Sequence, residues 1–165
     1  MRYFSHREGN VISCSADALV NATPRDIIEA HTLEKNAAKF RDVKKYSKFE
    51  VGSDGVINME FPAKIAFFSF TQKFCKRASF ESIRFWTPDD SLSQIRGSWT
   101  LKRFHGKTLV KFEQVVKVPG WATMFPLESY IRSRVMRMME DTAALPVVHD
   151  SRALLFPQLS SRSNI

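Results

Sequence analysis

Gly97-Ser-Trp-Thr-Leu-Lys-Arg-Phe104, followed by His105-Gly106 and then Lys107-Thr-Leu-Val-Lys-Phe-Glu-Gln-Val-Val116, reads as two long strands on a tight turn. Apolar residues alternate on both sides of a two-residue connection that contains Gly, which is the signature of a hairpin. Pairing Phe104 with Lys107 sets Leu101 opposite Val110, Trp99 opposite Phe112 and Gly97 opposite Gln114. Those side chains then share one face of an antiparallel sheet. Pro119, Gly120 and Pro126 follow, and a helical pattern of about 19 residues then runs to Leu145. A curved antiparallel sheet succeeded by one long amphipathic helix predicts an α+β protein that encloses something apolar.

Composition sets the outer limits. The 165 residues, 44% of them apolar, suit one folded domain and not a disordered chain. No apolar run reaches the roughly 18 residues of a membrane span, and Met1 to Asn10 lacks the apolar core of a secretory signal. A soluble, intracellular protein is the expectation, with chloroplast or mitochondrion left open as compartments. Cys14 and Cys75 are too few for a disulfide framework and fit small buried positions better. The net charge of +8 admits nucleic acid, an anionic membrane surface or an acidic partner. In Lys44-Lys45-Tyr46-Ser47-Lys48 and Lys73-Phe74-Cys75-Lys76-Arg77 the charges alternate with other residues, as on the solvated face of a strand. Transient docking on an anionic membrane is the second reading of these clusters.

Working outward from the hairpin, Val11 to Val20 suits a first strand. Thr23 can cap a helix that Pro24 opens, and a second short helix is expected near Asn36 to Asp42. Val43 to Val51 and Val56 to Phe61 read as strands around a turn at Ser53-Asp54-Gly55, and Pro62 marks an edge or a bend. Ala63 to Lys76 reads as one Phe-rich strand with Ala66, Phe68, Phe70, Gln72 and Phe74 on one face. Phe80 to Thr87 is another; a three-residue loop after it would align Phe85 with Ile95 and Ile83 with Gly97. The domain is expected over residues 11–145, with residues 1–10 as an N-terminal extension and residues 146–165 as a tail.

This order of elements resembles the START-like (SRPBCC) superfamily, and within it the polyketide cyclase/dehydrase and coenzyme Q-binding branch. The resemblance rests on Ala22-Thr23-Pro24 with Ile27-Ile28, the Gly97-x-Trp99-x-Leu101 strand, Thr108 opening the next strand, and Pro119 and Pro126 before the helix. It implies a helix-grip fold: a sheet of six to seven strands wrapped around the C-terminal helix, with two short helices after the first strand. It further implies a hydrophobic cavity between sheet and helix that binds or carries apolar ligands. The glycine-rich loop of the birch-pollen-allergen branch is absent from the sequence.

On the last helix Leu127, Ile131, Val135, Met138, Thr142 and Leu145 form one apolar stripe. Together with Phe68, Phe70, Trp99, Phe112 and Gln114 from the sheet, Leu127, Ile131, Val135 and Met138 are the expected ligand-binding residues. Arg134 falls inside the stripe, so it must snorkel, meet a carboxylate such as Glu81, or hold a ligand head. The structural roles rank ahead of ligand anchoring, which keeps Arg134 among the candidates. Arg137 is expected on the surface, paired with Asp141 one turn later.

His6, His31, His105 and His149 have no metal-binding spacing, and no catalytic or phosphate-cradling motif is present. His31 suits packing better than base catalysis. No cofactor, metal or catalytic residue is therefore assigned. The favoured function is non-enzymatic binding or transport of a hydrophobic small molecule, namely a lipid, quinone or isoprenoid. A polyketide cyclase or dehydratase using the same cavity is the alternative, since such chemistry needs little beyond cavity shape and a few polar groups. A basic nucleic-acid-binding protein ranks last, because no such module is visible. Oligomeric state cannot be read.

Overall fold

The hairpin around His105-Gly106 forms in the register read from the sequence, with Phe104 paired to Lys107, Leu101 to Val110, Trp99 to Phe112 and Gly97 to Gln114. His105 (φ 46°) and Gly106 (φ 77°) are both left-handed, as a two-residue hairpin turn demands. The protein is described by a computed structural model over residues 1–42, 46–65 and 68–144, without the side chains of Lys64, Ile65 and Phe68.

In chain order the elements are strands β1 (Arg2–Glu8) and β2 (Val11–Val20), then helices α1 (Pro24–Thr32) and α2 (Glu34–Ala37). Strands β3 (Lys48–Val51), β4 (Ile57–Ile65), β5 (Phe68–Ala78), β6 (Ser82–Trp86), β7 (Gln94–Phe104) and β8 (Lys107–Lys117) follow. A short 3-10 helix (Gly120–Met124) leads into helix α3 (Leu127–Ala144). All eight strands form one antiparallel sheet in the order β1-β2-β8-β7-β6-β5-β4-β3. No helix among the described residues is long and apolar enough to cross a membrane.

The fold class is the α+β helix-grip arrangement expected, with eight strands in place of six or seven. The extra strand is β1, in the segment expected as an extension, so the two short helices follow the second strand. A turn at Gly9 (φ 57°) folds β1 back on β2, and Tyr3 packs against the core. The expected tail and Leu145 lie outside the described residues.

Local chemistry explains the boundaries. Thr23 and Asp26 form a reciprocal capping box, and Pro24 takes the first helical position of α1. Helix α2 begins directly after the extended Leu33, earlier than the expected Asn36. Strand β4 runs past the expected end at Phe61 to Ile65, and Pro62 takes the edge position expected of it. Ser47 N–H donates to Glu60 O where β3 stops, so the nitrogen of Pro62, two residues on, faces an edge with no partner strand. The single strand expected over Ala63 to Lys76 is instead the end of β4 and most of β5, paired as a hairpin from Ile65↔Phe68 to Ile57↔Lys76.

The β6–β7 pairing also differs from expectation. Ile83 lies opposite Trp99 and Phe85 opposite Gly97, two residues from the register a three-residue loop would give. The loop is longer, and the Thr87 side chain ties it shut by accepting from Ile95 N–H and donating to Ser93 O. A slip of two keeps every side chain on its face, so the inner face survives the error.

That register needs glycine at 97. A Cβ there would overlap the Phe85 ring and the Glu113 carbonyl oxygen of β8. Behind it lies the core of the sheet, where Phe85 stacks on Phe112 at 5.6 Å and Trp99 meets Phe112 edge-on at 5.0 Å. Gly97→Ala is expected to lower the urea unfolding free energy by roughly 1–3 kcal/mol, the cost of overpacking a tight site. An unchanged unfolding midpoint would show that the Phe85–Gly97 contact does not constrain the sheet.

Candidate ligand-binding cavity

Helix α3 buries Leu127, Ile131, Val135 and Met139, each contributing roughly 2 kcal/mol of apolar burial. It packs on the β1–β2 side of the sheet, while α1 packs on β5 and β7. Between them is a partly enclosed cavity of about 220 Å³, the space within which the centre of a water molecule can move. One water needs only about 10–15 Å³ on that measure, so this is room for a guest and not a packing defect. The sheet side is formed by Met59, Phe61, Phe70, Phe74, Ile95 and Trp99 among others, and the helix side by Leu127, Ile131, Val135 and Met138. The lining is mostly apolar.

Polar side chains also reach this space, and most are already engaged. Arg134 donates to the Tyr130 hydroxyl at 2.7 Å and pairs with Asp42 at 3.5 Å, forming a half-buried polar rim. Asp141 accepts the Arg41 backbone N–H at 2.9 Å and pairs with its guanidinium, which also reaches Glu140. Gln72 donates to Lys73 O. Burial pushes the Tyr46 hydroxyl well above its usual pKa, so it stays protonated. The amine of Lys76 lies 3.4 Å from His31 O, and desolvation lowers its pKa to about 8. Among the described residues no three His, Cys, Asp or Glu side chains gather as a metal site.

His31 sits fully buried at the inner end, between the rings of Phe40 at 4.8 Å and Trp99 at 4.4 Å. The Thr142 hydroxyl gives its one proton to Met138 O, so His31 Nε2–H must donate to Thr142 Oγ1, at 2.9 Å. Burial, with the nearby Lys76 charge second, holds the imidazole well below its ordinary pKa of 6.5. It is a neutral packing and bridging residue, held by α1 against α3.

Searches with the sequence found no matching family model and no matching curated protein. Comparison of the structure with solved structures did find likenesses. The aromatase/cyclase ZhuI from Streptomyces sp. R1128 aligns over 81% of this chain and 92% of its own, with a TM-score of 0.65 and 11% identity. The di-domain ARO/CYC StfQ from the steffimycin biosynthetic pathway aligns over 83% of this chain, with a TM-score of 0.66 and 9% identity. This chain spans about half of StfQ, 51% of its length. Ara h 8.0201 aligns over 80% of this chain and 97% of its own, with a TM-score of 0.53 and 8% identity.

The chain has the helix-grip fold.

Within that helix-grip frame, Phe70, Trp99, Gln114, Leu127, Ile131, Arg134, Val135 and Met138 line the cavity. Phe112 does not: it is wholly buried against the rings of Trp99 and Phe85. The Phe68 side chain lies outside the described residues. The Arg134–Glu81 pair does not form, since Glu81 precedes β6 and is exposed; Asp42 takes its place. Arg137 likewise pairs with Asp42, at 3.1 Å, and not with Asp141, which Arg41 occupies.

Sequence reasoning missed Lys76, His31, Tyr46 and the β4 wall residues Met59, Phe61 and Ala63. Lys76 shares its parity with Phe70, Gln72 and Phe74, and that signal was available in the strand pattern. Its place in a run of positive charges argued the other way.

The buried neutral imidazole carries a pH signature. Above pH 6.5 neither folded nor unfolded His31 binds a proton; below it only the unfolded chain does, so stability falls as the pH drops. The slope approaches about 1.4 kcal/mol per pH unit. Unfolding free energies between pH 7 and 5 should therefore fall more steeply for the wild type than for His31→Gln. Equal slopes would mean that the folded imidazole accepts a proton.

Proposed function

We propose that this protein binds and carries a hydrophobic small molecule, of the lipid, quinone or isoprenoid kind, in the cavity between sheet and α3. The single observation behind this reading is an apolar space of about 220 Å³, larger than the roughly 150 Å³ cavity known to hold benzene in another protein. Leaving such a volume unfilled forgoes dispersion contacts and costs stability, so a guest that fills it gains what the folded chain lacks. Aromatic and Met side chains give the wall soft, polarisable surfaces that suit an irregular apolar shape.

A second reading follows from the names of the similar structures. ZhuI and StfQ are described as aromatase/cyclases, and an enzyme acting on a polyketide-like substrate could use the same space. It requires polar cavity groups such as Tyr46 and Gln72 to be needed for turnover while binding survives their replacement.

Val135 is buried on the cavity wall at the middle of α3. Val135→Trp should fill the space and weaken binding of Nile red at least tenfold, with the folded circular dichroism spectrum retained. Val135→Phe should give a smaller loss. Native mass spectrometry of gently purified wild type should show a co-purifying apolar molecule, absent from Val135→Trp. Wild-type dye affinity in a folded Val135→Trp protein would contradict the carrier reading.

A further inference from the structure

We propose that Lys76 is a covalent anchor, its amine condensing with the aldehyde or ketone group of an apolar guest to hold it as an imine. The proposal rests on the cavity being a ligand site and says which class of ligand it takes.

The placement comes from the strand. On β5, Phe70, Gln72, Phe74 and Lys76 alternate inward, and all four line the cavity. Lys76 is flanked across the sheet by Ile57 of β4 and Phe85 of β6, both buried. From α1, the His31 carbonyl oxygen is its only hydrogen-bond partner among the described residues, at 3.4 Å.

The other titratable groups on the cavity wall do not pair with it. His31 is neutral and bound to Thr142, Tyr46 stays protonated, Asp42 is held by Arg134 and Arg137, and Asp141 by Arg41. Lysine in apolar surroundings without a carboxylate is an amine whose charged form is disfavoured, which is how such side chains become nucleophiles.

A carboxylate guest fits the same place less well. Its charge would be buried with one cationic donor for two oxygens, since Arg134 is engaged and Gln72 already donates elsewhere. A neutral amine and a neutral carbonyl meet without burying charge. The nitrogen lone pair attacks the carbonyl carbon, the carbonyl π electrons move to oxygen, and one N–H proton follows to give a carbinolamine. Loss of that hydroxyl with the second N–H hydrogen releases one water and leaves a C=N bond. No oxidant or reductant is consumed, and the scarcity of water in an apolar cavity favours condensation.

With a pKa of about 8, roughly a tenth of the Lys76 side chains are unprotonated at pH 7. An ordinary lysine is unprotonated to only about one part in 3,000 at that pH.

The test is trapping of cinnamaldehyde by sodium cyanoborohydride at pH 7, read by peptide mapping of the intact protein. Lys76 should be labelled at least tenfold faster than the average of the other lysines, with a rate that levels off above pH 8. Lys76→Arg and Lys76→Met should lose this fast label. Wild-type mapping needs neither variant to fold.

Even labelling across the lysines, with Nile red bound normally, would overturn the anchor and leave the carrier reading intact. Tight binding of cinnamate that Lys76→Met abolishes, without fast labelling, would overturn it in favour of a carboxylate guest. Loss of both label and dye binding in the wild type would remove the two readings together.

Discussion

Helix α3 leans on the β1–β2 side of the sheet, where Leu127, Ile131, Val135 and Met139 join the core, and the cavity depends on the gap left between it and the strands that carry Phe74 and Trp99. At the C-terminal end, Arg41 grips Asp141 through its backbone N–H and its guanidinium, and His31 bonds to Thr142. Along the helix Leu127, Ile131, Val135 and Met139 enter the core that the sheet provides. The polar attachments are directional: each fixes the helix at a set distance from α1 and the segment after α2. Apolar burial alone would favour the closest approach, because dispersion rises with every contact made. Gly97 and Phe85 act on the opposite wall, where a glycine lets the sheet take an aromatic ring without moving β8.

How far the fold could be read in advance follows from the same physics. The β7–β8 register was readable residue by residue because a two-residue turn admits one pairing. The β6–β7 register was not, since seven residues from Thr87 to Ser93 separate the strands and loop length does not fix which residues face each other. The error amounted to two positions, so Ile83, Phe85 and Trp99 still fell on the inner face. The β4–β5 hairpin was hidden because the Phe-rich pattern of the sequence runs on without a turn signal from Ala63 to Lys76.

The cavity wall was readable where periodicity decides it, on α3 and on the even positions of β5. It was unreadable where a partner decides it. Arg134 finds Asp42, and Asp141 finds Arg41, through contacts spanning about 90 to 100 residues of chain. No local pattern encodes those pairs. Phe112 shows a further limit: parity assigns a residue to the inner face, while the rings packed around it decide whether it meets the cavity. Likeness to solved structures at 8–11% identity establishes the architecture, while the cavity chemistry belongs to this chain's own residues.

Crystals of the protein pressurised with xenon test the central claim most directly, because xenon enters apolar voids and leaves filled cores empty. Xenon density bounded by Trp99 and Phe74 on one side and Ile131 and Val135 on the other is the result this account requires. A helix seated against those rings, with no xenon between them, would contradict it.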